Sequence, residues 1–219
     1  MNKFFITFLL IIFNHNIFSQ EHAHFYSKNG KKISVVLPDG FCKINKTETG
    51  QLLIQHLNNT LQRTAVLKIL QAEAMVVFSK CNQNFDYPWG YIMLSHIELK
   101  SSVTQLDVNK IETKTFNKKY LSKIKKQINK SHDLNQMEIQ VDEFTLPEVV
   151  WDDENALLVF SKASSMAEGV KVIEEVTGSI VLHRNYRIYF YIVEMEGQGR
   201  GLENAHLLLE AAKKTKKLY

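Results

Sequence analysis

The sequence predicts an α+β fold, a mainly antiparallel sheet of hairpins covered by helices. Three observations predict it. Turn signals recur between short alternating segments, beginning with Asn29-Gly30, the dipeptide most typical of two-residue hairpin loops. Helical spacing of apolar residues occurs near residues 47–61, 109–131 and 202–218. Apolar residues make up 45% of the 219 and charged residues 23%, which supports a packed core and argues against disorder.

The first twenty residues read as a secretory signal peptide. Lys3 supplies a positive start, residues 4–13 (FFITFLLIIF) an apolar core, and residues 14–20 a polar exit ending Ser19-Gln20. That core is too short for a membrane span of about 20 residues, and no later stretch is long enough. The competing reading is a buried N-terminal helix. Removing residues 1–20 leaves 21–219 as one expected domain, with 26 basic and 23 acidic residues. So mild a balance does not point to nucleic acid.

Two cysteines, Cys42 and Cys81, follow. In an exported chain two cysteines pair as a rule, so a Cys42–Cys81 disulfide is expected, tying the first structural unit into a loop. The functional alternative is a redox or nucleophilic thiol, for which neither cysteine has a local base or a CxxC partner.

In order along the chain, residues 24–27 and 32–37 form the expected first hairpin. His22 and His24 make an H-x-H pair near its start, read as solvated rather than as a metal site. Pro38-Asp39-Gly40 is a turn. Thr47 can cap a helix carrying Leu53, His56, Leu57 and Leu61. Residues 72–80 alternate and are β-branched or aromatic, a strand running to Cys81. The segment between, 61–71, suits either period. After the aromatic loop at 86–90, a strand is expected over 91–99. Tyr87, Trp89 and Tyr91 could form a ligand-stacking platform; rings packed over the core edge are the plainer reading.

The long helix is expected over 109–131, with Phe116, Tyr120, Leu121, Ile124 and Ile128 as its apolar stripe. The rest of it is basic: Lys110, Lys114, Lys118, Lys119, Lys123, Lys125, Lys126 and Lys130 stand against Glu112 alone. The sign then reverses. Glu138, Asp142, Glu143, Glu148, Asp152, Asp153 and Glu154 fall in 138–154 with no basic residue among them. The lysines therefore form either a working basic surface or a solvated face neutralised by that acidic stretch. A second hairpin is expected over 148–151 and 156–161. A third, over 170–183 and 186–195, turns at Arg184-Asn185. Its last strand carries Tyr186, Ile188, Phe190 and Ile192 on one face and Arg187, Tyr189, Tyr191 and Val193 on the other, as in a central strand covered on both sides or one with a face against helices and a face lined with Tyr. A Gly-rich turn at 197–201 lacks a phosphate-loop ending. It leads to a terminal helix over 202–218, with Leu202, Ala205, Leu208, Leu209 and Ala212 inward.

The run LPDGFCKIN with the later VVFSKC resembles exported bacterial proteins that carry an LPxGFC start and a second Cys at a strand end. The element order is also similar in outline to the α/β/α sandwich of photosynthetic PsbP and of the Ran-binding import factor. That resemblance implies a helix-covered sheet and an adaptor or assembly role. The lysine helix has no counterpart in it.

Catalytic signatures are missing from the sequence: there is no G-x-S-x-G elbow and no H-E-x-x-H. His22, His24, His56, His96, His132, His183 and His206 are scattered. The sequence therefore points to a non-catalytic periplasmic or envelope module, with no catalytic residue, metal or cofactor assigned. Its partner is left open, with an acidic protein or an anionic envelope surface as the candidates. The alternative is a small secreted enzyme of unidentified chemistry.

Overall fold

A computed structural model describes residues 21–63, 71–81, 87–115, 140–144, 147–167 and 170–218. An eight-stranded antiparallel sheet is its centre. The strands are β3 (Phe41–Lys43), β4 (Ala72–Lys80), β5 (Trp89–Ser95), β6 (Gln140–Phe144), β7 (Glu148–Asp152), β8 (Leu157–Ala167), β9 (Val170–His183) and β10 (Tyr186–Met195). Their order is β3-β4-β5-β10-β9-β8-β6, and β7 also pairs with β8. A separate hairpin joins β1 (His22–Tyr26) to β2 (Lys32–Val36). The described helices are α1 (Glu48–Arg63), α2 (Gln105–Thr115) and α3 (Gly201–Lys216). The expected α+β class is the observed one.

The alternation in β10 decides how the layers stack. Tyr186, Ile188, Phe190 and Ile192 join one core with Phe25, Ile33 and Val35 of the β1–β2 hairpin and Leu208 and Ala212 of α3. On the opposite face, Tyr189 packs with Met93, Ile180, Leu157, Val108 of α2 and Leu57 of α1. The sheet is therefore covered on both faces, because successive strand residues point to opposite sides and both sets in β10 are apolar enough to attract a layer.

Several boundaries differ from the sequence reading. The first hairpin begins at His22, and a short β3 forms at Phe41. Thr47 caps α1 as expected, its Oγ1 accepting from the Gly50 N–H at 3.0 Å. Strand β5 stops at Ser95 rather than 99, because β4 ends opposite it, with Ala72 paired to Ser95. Helix α2 begins four residues before the expected start. Thr104 and Asp107 cap it reciprocally: Thr104 N–H donates to Asp107 Oδ2 at 3.0 Å, and Asp107 N–H to Thr104 Oγ1 at 3.2 Å. The expected continuation from 116 to 131, with its apolar stripe, lies outside the described residues. Strand β8 continues to Ala167, held by β9 along its whole length. The Arg184-Asn185 turn is the expected one, both residues at positive φ (49° and 67°). Leu202 is not inward: it is 90% exposed, one turn too early to reach the sheet.

Candidate functional site

Cys42 and Cys81 are bonded, with Cα atoms 4.9 Å apart. The register that brings them together pairs Cys42 with Ser79, and Cys81 N–H then donates to the Gly40 carbonyl at 2.9 Å. Gly40 sits at φ +81°, a backbone that glycine adopts without strain, so the turn closes directly onto the strand pair. Closing a loop of 39 residues' separation restricts the unfolded chain by about 4 kcal/mol on the chain-entropy view. There is no free cysteine, so neither sulfur serves as a nucleophile in this state.

The same edge of the sheet is closed by side chains. β3 pairs only with Phe78–Lys80, and among the described residues no other strand lies on that side of β4. Two asparagines take that place. Asn58 Oδ1 accepts from Ala74 N–H at 2.7 Å and its Nδ2 donates to the Ala74 carbonyl at 3.3 Å. Asn45 Oδ1 accepts from Val77 N–H and its Nδ2 donates to the Met75 carbonyl, both at 2.9 Å. Glu21 Oε2 accepts from Lys43 N–H at 2.8 Å on the outer strand.

Of the eight candidate lysines, the structure places Lys110 and Lys114, both exposed on α2. Lys118, Lys119, Lys123, Lys125, Lys126 and Lys130 lie outside the described residues. Glu112, the one acid of that segment, turns inward. Its Oε1 accepts from Arg187 Nη1 and from Tyr189 O–H, each at 3.1 Å, in a buried site. Burial pushes the Glu112 carboxyl up from its ordinary value, and Arg187 and Tyr189 partly oppose that. The acid is thus committed to a buried pair and is turned away from exposed Lys110 and Lys114. The acidic stretch does meet the foot of the helix. Asn109 Nδ2 donates to Asp152 Oδ1 at 2.5 Å and to the Asp153 carbonyl at 2.9 Å. Asp153, whose carboxyl burial would raise, is held below its ordinary value by N–H donors from Asn155, Trp151 and Ala156. The hairpin tip at 152–155 is a built turn that anchors α2.

The aromatic residues pack against one another. Tyr91 stacks on Tyr191 across the β5–β10 pair with centroids 5.0 Å apart, and Trp89 leans on Tyr91 at 5.8 Å. Gly178 makes the stack possible: a Cβ there would meet the Tyr191 ring at 2.8 Å. Tyr87 takes a different partner, donating to Glu174 Oε1 at 2.6 Å.

His22 and His24 stack with ring centroids 6.5 Å apart; the other described histidines do not converge. His96 Nε2 lies 3.1 Å from Glu73 Oε2, but the Glu73 side chain is 49% exposed. Burial, with Arg184 adding to it, pushes the His183 imidazole down to about 4. His56 and His206 are exposed. His24 Nδ1 is paired with Ser34 Oγ at 2.8 Å. His132 lies outside the described residues. Lys162 bridges Glu175 at 2.6 Å and Glu196 at 3.1 Å. Among the described residues no group of three or more His, Cys, Asp or Glu side chains is placed to hold a metal ion.

No protein-family model matches the chain, and no curated protein matches it in sequence.

The sequence reading missed the Glu112–Arg187–Tyr189 cluster and the asparagine edge. One signal for the first was present: Arg187 sits between apolar residues in a strand that is otherwise buried, and a charge there needs a partner.

Proposed function

We propose that this is an exported, non-catalytic interaction module of the periplasm or cell envelope that meets an anionic envelope surface through its lysine-rich segment, residues 110–130. The observation that carries the reading is the Cys42–Cys81 disulfide, since such bonds persist in oxidising compartments. The signal-like residues 1–20 agree with it. Among the described residues no helix is long and apolar enough to cross a membrane. The inward turn of Glu112 supports the choice of surface, because it removes the segment's own acid from the lysine face. Each lysine near an anionic leaflet contributes about 1 kcal/mol at most, and less with added salt.

The test is co-sedimentation with vesicles of anionic and of neutral lipid, at low and at physiological salt. Wild-type protein is expected to pellet with anionic vesicles only, less so at the higher salt. Lys118, Lys119, Lys125 and Lys126 changed together to Gln should weaken binding further. Absence of binding at low salt removes the membrane from the proposal. Salt-sensitive capture by an acidic protein without vesicle binding would move the partner to that class.

A further inference from the structure

The two edges of the sheet are treated differently. The β3–β4 edge is closed by a disulfide, two asparagine side chains and a glutamate. At the opposite edge, β7 pairs with β8 on one side and with no described strand on the other. The register of β7 slips between Val149 and Trp151, so Val150 is an extra residue. Such a bulge turns neighbouring side chains the same way. Here Val149 packs into the core, while Val150 is 50% and Trp151 49% exposed. Exposed Glu148, Asp152 and Glu154 surround this apolar pair. Lys216 reaches the edge at one end, donating to the Glu154 carbonyl, and Asn109 of α2 donates to Asp152 Oδ1.

We propose that the β7 edge, Glu148–Asp152, is a docking strand for an extended cationic segment of a partner protein, which adds to the sheet beside β7. Unpaired strand edges bind extended chains through main-chain hydrogen bonds, with side-chain pockets and charges setting the choice. The acidic flanks set it here. Two copies of this chain paired antiparallel about Val150 would bring Glu148 of each copy opposite Asp152 of the other, and like charges facing each other across strands are unfavourable. The same flanks attract lysine or arginine, and Val150 and Trp151 offer apolar contact between them. The bulge and the charges thus disfavour self-pairing and leave a basic partner acceptable. The inference does not depend on the reading of the lysine segment.

The test uses the full disulfide-bonded protein, labelled with nitrogen-15. The probe is an end-capped heptapeptide alternating lysine and valine. Addition of the probe should shift the amide signals of residues 148–152 and slow hydrogen exchange there. Glu148→Lys should weaken binding at least tenfold, and so should Val150→Ser combined with Trp151→Ser. A heptapeptide alternating glutamate and valine should not bind. If the serine variant fails to fold, Glu148→Lys, a change at an exposed position, decides alone. Absence of shifts at 148–152 with millimolar probe overturns the proposal, as does equal binding by Glu148→Lys. Concentration-dependent protection of 148–152 without the probe would mean a second copy fills the edge, and that too overturns it.

Discussion

Glu112 shows how one buried group sets both stability and surface charge. Its carboxylate, the Arg187 guanidinium and the Tyr189 hydroxyl share a site between α2 and β10. Removing one member leaves a buried charge without its counter-ion, so Glu112→Ala should destabilise the fold by about 3–5 kcal/mol, read from urea unfolding. Glu112→Leu combined with Arg187→Met should stay within about 2 kcal/mol of wild type, because a well-packed apolar pair replaces an ion pair at little net cost. His183 gives a pH signature. Its folded value of about 4 lies below the ordinary 6.5, so between those two pH values the unfolded chain binds the proton that the folded chain refuses. Stability therefore falls as pH drops from 6.5 towards 4, and is unaffected by this group above 6.5. His183→Gln should flatten that fall, seen as a smaller difference between urea midpoints at pH 7 and pH 4.5.

At the scale of elements, the sheet depends on how its free edges are managed. Asn45→Ala leaves the Val77 N–H and Met75 carbonyl without their partner and should cost about 1–3 kcal/mol. Asn58→Ala should do the same at Ala74. The double variant should also self-associate at lower concentration, measured by light scattering, because an uncapped edge recruits other chains. Nothing local marked either asparagine for this role, since the pairing depends on how α1 and its leading turn pass β4. The elements themselves were far more legible. β4 spans the expected residues, although an irregularity at Met75 breaks the alternation between Ala74 and Val76, and the Arg184-Asn185 turn sits where its residue types place it. α2 starts before the lysine pattern does, because the Thr104–Asp107 cap sets its first turn ahead of residue 109. β3 carries too few residues for a period-2 pattern to show, and the run Gln140–Phe144 of β6 does not alternate apolar and polar.

At the scale of the molecule, the two apolar faces of β10 left open a strand covered on both sides or one with a Tyr-lined face, and the structure has the first arrangement. The disulfide was equally readable, since only two cysteines are present. The buried Glu112–Arg187 pair was not, because a charge count along one helix does not reveal which acid points inward. The proposed function rests on export into an oxidising compartment, and one measurement reports on it directly. Intact mass of the protein from its native host, taken without reductant, should show loss of about 20 N-terminal residues and the two-hydrogen deficit of the Cys42–Cys81 bond. A product that retains Met1 and carries two free thiols would contradict the account.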